Sequence, residues 1–538
     1  MSAPPRSAAV DVLVVGAGPT GLTLAAELAR RDVRVRIVDR RHDRVHESRA
    51  LAIQPRTLEV LAPLGVTDEL LRRGNPAVDV QIHFPRKVVR VPLFGIGATD
   101  TRYPFLLFLS QAETEAVLGQ DLDARGVPLE RGVELVSFED GDDAVRCTVR
   151  DESGRKEVIE AQYVVGCDGS RSAVRREAGI SFTGSAYPQT FVLADLEADG
   201  IQRGAAHAFL GGEGMLFFFP LGSPSTWRML AMRPPGQSGS DRDTVDLREV
   251  QALADRYTSG GVRLRDPMWM TNFRLHNRGA SQYRAGRAFV AGDAAHVHSP
   301  AGAQGMNTGI QDAVNLAWKL ALVTSGRGAP ALLDTYESER APIGRTVLRF
   351  TDRAFTIATS THAAVVFART RIAPAVLPLL VRIRVGRALA FRTISELAIR
   401  YRRSPLSVDG HGAVGRAVRA GDRLPDAPLT LDGRPTTLHE ATAGRGFHLI
   451  VHGPADAARL GVERSLGGGP GEVAIHRLSK VAAPHVLHDA TGWAHRLLGV
   501  DGSKSGHLLV RPDGYVAYRG GGDPTGVREY LDDWLMMH

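Results

Sequence analysis

Short continuous apolar runs along the chain are interleaved with segments whose apolar residues recur every three to four positions, the pattern of strands alternating with helices. VDVLVVGAGPTGLTLAAELARRDVRVRIVDRR, from Val10 to Arg41, reads as a buried strand, a glycine turn, a helix and a second strand ending in an acid. AQYVVGCDGSRSAVRREAGI, from Ala161 to Ile180, gives an apolar strand, then Asp168 and Gly169, then a helix carrying Ser172 and Arg175. YRAGRAFVAGDAAH, from Tyr283 to His296, repeats this order with Gly292 and Asp293 at the strand end. Beyond it, Ile310, Ala313, Val314, Ala317 and Ala321 fall at helical spacing, which predicts a helix starting near Asn307. Between Ile180 and Phe273 the period drops to two in TFVLADLEA, GMLFFFPLG and RMLAMRPPG, predicting an antiparallel sheet. A shift to loop composition suggests a boundary near residue 410. There follow two strands (GFHLIVHG and EVAIHRLS), a hairpin turning at Pro512-Asp513-Gly514, and a closing helix in TGVREYLDDWLMM.

The fold class is therefore α/β, α+β in parts, and 538 residues with 43% apolar content suit two to four domains. The formal charge of +7 is carried mostly by arginines scattered among acids, which speaks against a nucleic-acid surface and for attraction of phosphate-bearing ligands. Two cysteines, Cys147 and Cys167, are too few for a disulfide framework or a cysteine metal site, and suit a reducing, cytoplasmic location. The apolar run near the N-terminus is bracketed by Asp11 and Glu27 and broken by glycines, unlike a signal peptide or membrane span.

In the first motif Gly16 permits a tight turn, Gly18 lets a pyrophosphate approach the backbone, and Gly21 lets helix and strand pack closely. The helix N-terminus, opened by Pro19 and Thr20, turns unpaired N–H groups to the phosphates. Asp39, eighteen residues after Gly21 and followed by Arg40, suits a ribose diol. This loop alone does not separate NAD from FAD. Further on, SPAGAQGMNTG is built to bring backbone close to a ligand: Gly302, Gly305 and Gly309 lack Cβ atoms, and Pro300 stiffens the approach.

GAGPTG at 16–21, CDGSRSAVR at 167–175 and GRAFVAGDAAHVHSPAGAQGMNTGIQDAVNLAWKL at 286–320 resemble, in order and spacing, the three flavin fingerprints of group A flavoprotein monooxygenases. The resemblance spans nearly the whole chain, including SRALAIQPRTLEVL (48–61) and LSQAETEAVL (109–118), and is closest to aromatic polyketide and phenol-type hydroxylases, with rifampicin monooxygenases as near relatives. It implies a Rossmann-type FAD domain of the para-hydroxybenzoate hydroxylase fold over 1–180 and 275–408, with a helical tail after about 345. It also implies a substrate domain over 181–274 with parts of 75–108, and a thioredoxin-like domain over 409–538 that lacks Cys-x-x-Cys. Carried over, the pattern gives Asp293 to the FAD ribityl chain, Asp39 to the adenosine ribose, and Arg49 and Gln111 to the ribityl and phosphate region. Asp168 and Gly169 belong to a motif linked to the pyrophosphate and to the passage of NADPH. The backbone N–H groups of Gly305, Met306 and Asn307 become candidates for stabilising a reduced flavin anion. His296 and His298 make a metal trio only if Asp293 is free. The pattern commits Asp293 to flavin, so no metal is expected and the histidines read as positioned loop residues.

The activity so implied is FAD- and NAD(P)H-dependent hydroxylation of a multi-ring aromatic through a flavin C4a-hydroperoxide, with NADPH or NADH a transient co-substrate and no catalytic base identified. Baeyer–Villiger insertion and inactivation of an ansamycin antibiotic are the alternatives; the FxGxxxHxxxW and GWxWxIP signatures of Baeyer–Villiger enzymes and halogenases are absent. Phe217, Phe218, Phe219, Met215, Met232, Trp227 and Trp269 are available to wall a pocket for a flat polycycle, although ordinary core accounts for most of them singly. The arginine-rich apolar stretch 363–403 reads as helical; a basic amphipathic helix can touch a membrane surface, but packing on the FAD domain or on a second subunit suits it better. Expected partners are a polycyclic aromatic and O2, without nucleic acid or membrane, with a homodimer left open.

Overall fold

The computed structural model describes residues 9–43, 50–77, 79–92, 99–211, 214–222, 225–233, 245–299, 302–360, 362–382, 391–413, 417–453, 473–500, 504–522 and 525–536. Strand Val10–Val15 lies in the middle of a parallel core, between Val35–Asp39 and Lys156–Gly166, with Ala288–Val290 beyond the latter and Leu129–Arg131 beyond the former. Its β-branched residues Val12, Val14 and Val15 are buried because both faces of a parallel sheet are covered. Helix Pro19–Ala29 starts with proline in its first turn, where a missing N–H costs nothing. It packs against helix Gly305–Thr324, which is buried from Asn307 to Leu322. The three sequence motifs thus end at the same edge of one sheet.

The second sheet has eight strands in the order His296–Val297, Arg263–Ala280, Phe182–Asp199, Trp227–Met232, Met215–Pro220, Ala205–Leu210, Asp79–Phe84 and Lys87–Pro92. The antiparallel arrangement expected between 180 and 273 is present, and one parallel pair, Ala205–Leu210 with Asp79–Phe84, extends it. The period of two sorts its side chains. Phe218 and Trp227 belong to the face packed on helix Leu247–Thr258, so these two do not share a wall with Phe217 and Phe219. Met215, Met232, Phe217, Phe219 and Trp269 share the opposite face with Phe191, where Phe355 of helix Asp334–Thr359 covers them.

The third sheet is mixed, with Phe447–His452 between Val473–Ser479 (parallel) and Gly506–Val510 (antiparallel). The hairpin closes from Gly506–Val510 to Val516–Gly521 around the Pro512-Asp513-Gly514 turn, and helix Thr525–Trp534 follows. Trp318 and Leu322 of the long helix enter its core with Phe447 and Leu449.

A buried charged cluster fastens this sheet to the rest. Arg511, on the hairpin turn, donates to Glu339 Oε1 (2.5 Å) and Oε2 (2.9 Å) and to Asp513 Oδ1 (3.0 Å). Lys319 Nζ adds 2.9 Å to Glu339 and 2.8 Å to Asn315, and Ser404 Oγ donates to Glu339 at 2.6 Å. All of the arginine, lysine and glutamate side chains are solvent-free. Burial lowers the Lys319 ammonium to about 8, while Arg511 and Lys319 outweigh the burial of Glu339 and hold its carboxyl well below the usual range. Taking one partner from such a set leaves a buried charge uncompensated. Arg511→Met is expected to cost about 3–5 kcal/mol of stability by denaturant unfolding, and a loss below about 1 kcal/mol would contradict the cluster's role.

Candidate active site

The phosphate loop has the shape its glycines imply. At Gly16 (φ 104°) a Cβ would overlap the Cys167 carbonyl, and at Gly21 it would overlap the Gly16 carbonyl oxygen. At Gly18 nothing lies within 4 Å of that position, leaving open space beside the helix start for a pyrophosphate. Asp39, half-buried at the end of its strand, accepts from Ala17 N (2.7 Å) and Arg41 N (2.8 Å), which aims the carboxylate across the loop and leaves lone pairs for hydroxyls. Arg40 is exposed beside it.

Thr20 locks the loop to the third motif. Its hydroxyl occupies the room where Cβ atoms on Gly292 and Gly309 would stand, and a Cβ on Gly309 would also lie 3.0 Å from Gly292 Cα. The turn Gly292–Ala294 leaves Asp293 exposed between buried neighbours.

Beneath this turn lies a carboxylate that the motifs did not single out. Asp312, fully buried in the long helix, accepts from Gly292 N (3.1 Å), from His296 Nε2 (2.7 Å) and from Arg340 Nε (2.6 Å). Arg340 in turn donates to the Thr308 carbonyl (3.0 Å) and to Tyr401 Oη (2.7 Å). Burial would raise the Asp312 carboxyl, but Arg340 and His296 outweigh it and hold it below its ordinary value. His296 is therefore a structural partner of Asp312. Among the described residues no group of three or more His, Cys, Asp or Glu is disposed to hold a metal.

The loop before the long helix is tied by amides. Asn307 Nδ2 donates to the carbonyls of Ala52 and Ala303 (both 2.8 Å), and its Oδ1 accepts from Gln54 N (2.8 Å). Gln54 Nε2 holds the Gly302 carbonyl at 3.0 Å. Gly302 (φ 84°) and Ala303 (φ 52°) are both left-handed, a conformation that costs Ala303 energy and that Asn307 fixes. The helix begins at Gly305, close to the expected start near Asn307, with Gln304 at its N-cap. The N–H groups of Gly305, Met306 and Asn307 thus open the helix, where no carbonyl of the helix itself can receive them. His298 stands over this end. Its Nδ1 bonds the Ser299 carbonyl (2.8 Å), its ring would lie 3.5 Å from a Cβ on Gly305, and its Nε2 is buried without a partner among the described residues. Burial lowers the imidazole to about 4, so Nε2 is a neutral acceptor.

Gln111 opens a helix capped by Ser110, and its amide oxygen and N–H both meet Ala50 (3.4 and 3.1 Å), bringing that helix to the segment that carries Arg49. Arg49 and Pro300 themselves lie outside the described residues. Asp168 Oδ2 caps the short helix Ala173–Glu177 through Ala173 N (2.6 Å), and its buried Oδ1 has no partner among the described residues. Gly169 (φ 77°) makes the turn between them. Arg175 joins this motif to the third by donating to the Ala294 carbonyl at 2.8 Å.

The aromatic face approaches the same loop. Phe217 and Phe219 are stacked with centroids 5.6 Å apart, and Phe219 packs with Ala303 on the cluster of Leu51, Ala52 and Phe108. Arg228, fully buried on this face, makes two 2.6 Å bonds to Asp195 and a 3.0 Å bond to the Ala50 carbonyl, tying sheet to loop.

A Gly-lined cradle with open space at Gly18, and a helix start with orphaned acceptors around it, fit a dinucleotide with an aromatic head. In agreement, a family model described as an FAD binding domain matches residues 9–351, and one described as aromatic-ring hydroxylase, C-terminal, matches residues 417–536. The chain belongs to this family of FAD-binding aromatic-ring hydroxylases, the class A flavin monooxygenases, and is a flavin-dependent aromatic monooxygenase. It is 38% identical to 6-methylpretetramide 4-monooxygenase of Streptomyces rimosus, over 96% of this chain and 92% of that protein. Rifampicin monooxygenase of Streptomyces venezuelae is 36% identical over 63% of this chain and 69% of its own length. Among solved structures, aklavinone-11 hydroxylase with FAD and aklavinone superposes with a TM-score of 0.80 at 26% identity, over 98% of this chain and 99% of that one.

One further buried acid adjoins the helix start. Glu396 (φ 61°) accepts from Thr308 Oγ1 at 3.0 Å and from Gln311 Nε2, and burial raises it to about 8 against an ordinary 4.5, with Arg340 opposing and Asp312 reinforcing the shift. Because the folded state keeps this proton while the unfolded chain releases it, stability falls as pH rises from about 4.5 to 8. Glu396→Gln is expected to remove that component, so that the melting temperature of the variant exceeds wild type increasingly toward pH 8. Parallel pH profiles for the two proteins would contradict it.

Proposed function

We propose that this monooxygenase hydroxylates a flat, multi-ring phenolic compound of the polyketide type, using FAD with NADPH or NADH as reductant. The observation that carries the substrate class is the stacked pair Phe217 and Phe219 on a sheet face that meets the loop Gly302–Asn307 through Phe219 and Ala303. Such a face offers a slot for fused rings, and the buried guanidinium on it, Arg228, is already paired with Asp195 and not free for a small acid. The activities of the relatives that cover nearly the whole chain, on 6-methylpretetramide and aklavinone, support the same class.

Bound FAD supplies two-electron reduction by the nicotinamide and activation of O2. Gly18, Thr20 and Gly21 would offer backbone N–H groups to the pyrophosphate, with Gly16 and Pro19 shaping the turn and the helix start, Asp39 would meet the ribose, and Asp293 would take a ribityl hydroxyl. Gln111, Arg49, Asp168, Gly169 and Pro300 complete the cofactor site in this reading. The N–H groups of Gly305, Met306 and Asn307 present the positive end of the helix to the ring edge that gains charge. His298 Nε2 accepts a hydrogen bond from a ring N–H or a phenol at the same end. Met215, Met232 and Trp269 exclude water from the substrate face.

The alternative substrate is an ansamycin. It rests on the rifampicin monooxygenase relative, whose match covers 63% of this chain, and is the weaker for that. With FAD-loaded protein, a tetracyclic phenol should raise NADPH oxidation and O2 uptake by about tenfold or more and give a product heavier by one oxygen. Turnover of rifampicin alone would select the alternative, and oxidation indifferent to any aromatic would overturn both.

A further inference from the structure

We propose that the surface formed by the helical tail and its neighbours is a docking face for an anionic lipid bilayer. Seven of the twelve large apolar side chains most exposed among the described residues lie in three adjoining pieces of surface, and the rest are scattered. The pieces are the hairpin tip at 85–88, the second half of helix Asp334–Thr359, and the helical run from Ala363 to Arg382. They are joined directly: Lys87 Nζ donates to the Pro374 carbonyl (3.2 Å), while Arg369 reaches the carbonyls of Ala358 (2.6 Å) and, across to the second sheet, Gly211 (2.9 Å).

The helical run aligns its apolar residues. Its π-helical segment Ala368–Ile372 closes backbone hydrogen bonds five residues apart, which widens the turn between Phe367 (59% exposed) and Ile372 (49%). Val376 and Leu379 (59%) continue the stripe at intervals of four and three. On helix Asp334–Thr359, Phe350 and Ile357 (60%) stand seven residues apart on one face.

The charge beside these residues is predominantly positive. Arg349, Arg353 and Arg371 are exposed, as are Arg86 and Lys87 at the hairpin tip, whose Val88 is 53% exposed. Residues 85–88 and 349–379 contain a single acid, Asp352, and it already accepts from Tyr187 Oη at 2.7 Å. Two-fold pairing with a second copy would set these cations against one another, which disfavours self-association. A bilayer with anionic headgroups meets both requirements, with apolar side chains entering the acyl boundary and guanidinium groups at the phosphates. Phe355 and Ala358 of the same helix roof the aromatic face of the second sheet, so docking sets the substrate side of the protein against the membrane. No helix of the described residues is long and apolar enough to cross a membrane, so the attachment is peripheral.

The test is co-sedimentation of the FAD-loaded full chain with sucrose-filled vesicles of equimolar phosphatidylglycerol and phosphatidylcholine, or of phosphatidylcholine alone. Binding to the anionic vesicles is expected to be stronger by about tenfold or more at low salt and to fall at high salt. Phe367→Asp with Leu379→Asp should abolish it, as should charge reversal of Arg349, Arg353 and Arg371, with flavin absorbance per chain unchanged to show that the variants are folded. No binding, equal binding to both vesicle types, or binding that survives both sets of variants overturns the proposal. A dimer in light scattering that these variants dissociate would assign the face to a second copy instead.

Discussion

One buried carboxylate holds the candidate flavin site together. Asp312 sits two turns into helix Gly305–Thr324 and receives the backbone N–H of Gly292, the imidazole of His296 and the guanidinium of Arg340. The turn bearing Asp293 and the helix Gly305–Thr324 are thereby fixed to one another by one side chain. A buried carboxylate is tolerable only with such partners, and each partner is placed by it in turn. Tight packing of Thr20 against Gly292 and Gly309 then sets the phosphate loop at the same corner.

The same helix is gripped along its length by polar contacts. Thr308 and Gln311 meet Glu396, Asp312 meets Arg340, and Asn315 and Lys319 meet Glu339 and, through it, Arg511. These partners come from helix Asp334–Thr359, from the segment after Phe391, and from the C-terminal hairpin. The third sheet, which carries no cysteine, thus anchors the far end of helix Gly305–Thr324.

The parts legible in the sequence were those that local rules determine. Gly16 and Gly21 announce the loop because only glycine satisfies its turn and close approaches, Gly18 leaves open space beside the helix start, and the strand ends at Asp39, Asp168 and Asp293 follow from apolar runs. Alternation predicted the second sheet, yet the aromatic run could not be divided between its faces until the register was known: Phe218 turned away while Phe217 and Phe219 faced the loop. The partners of Asp312 were hidden because they are distant in the chain. A signal was present in the helix itself, where Gln311, Asp312, Asn315 and Lys319 interrupt an otherwise apolar sequence at helical spacing. Such a stripe looks like a solvated face, and only the burial of the whole helix shows it to be internal. Arg49 and Pro300 stay with the family resemblance alone.

The most direct measurement of this account is the FAD affinity of an Asp312→Asn variant, by titrating FAD into apoprotein and following flavin fluorescence, with far-UV circular dichroism as a check on folding. An asparagine keeps the volume but leaves Arg340 uncompensated and loosens the Gly292–Ala294 turn. The account predicts FAD binding weaker by at least about tenfold, or roughly 1.4 kcal/mol, with secondary structure retained. Wild-type affinity in a folded variant would contradict it.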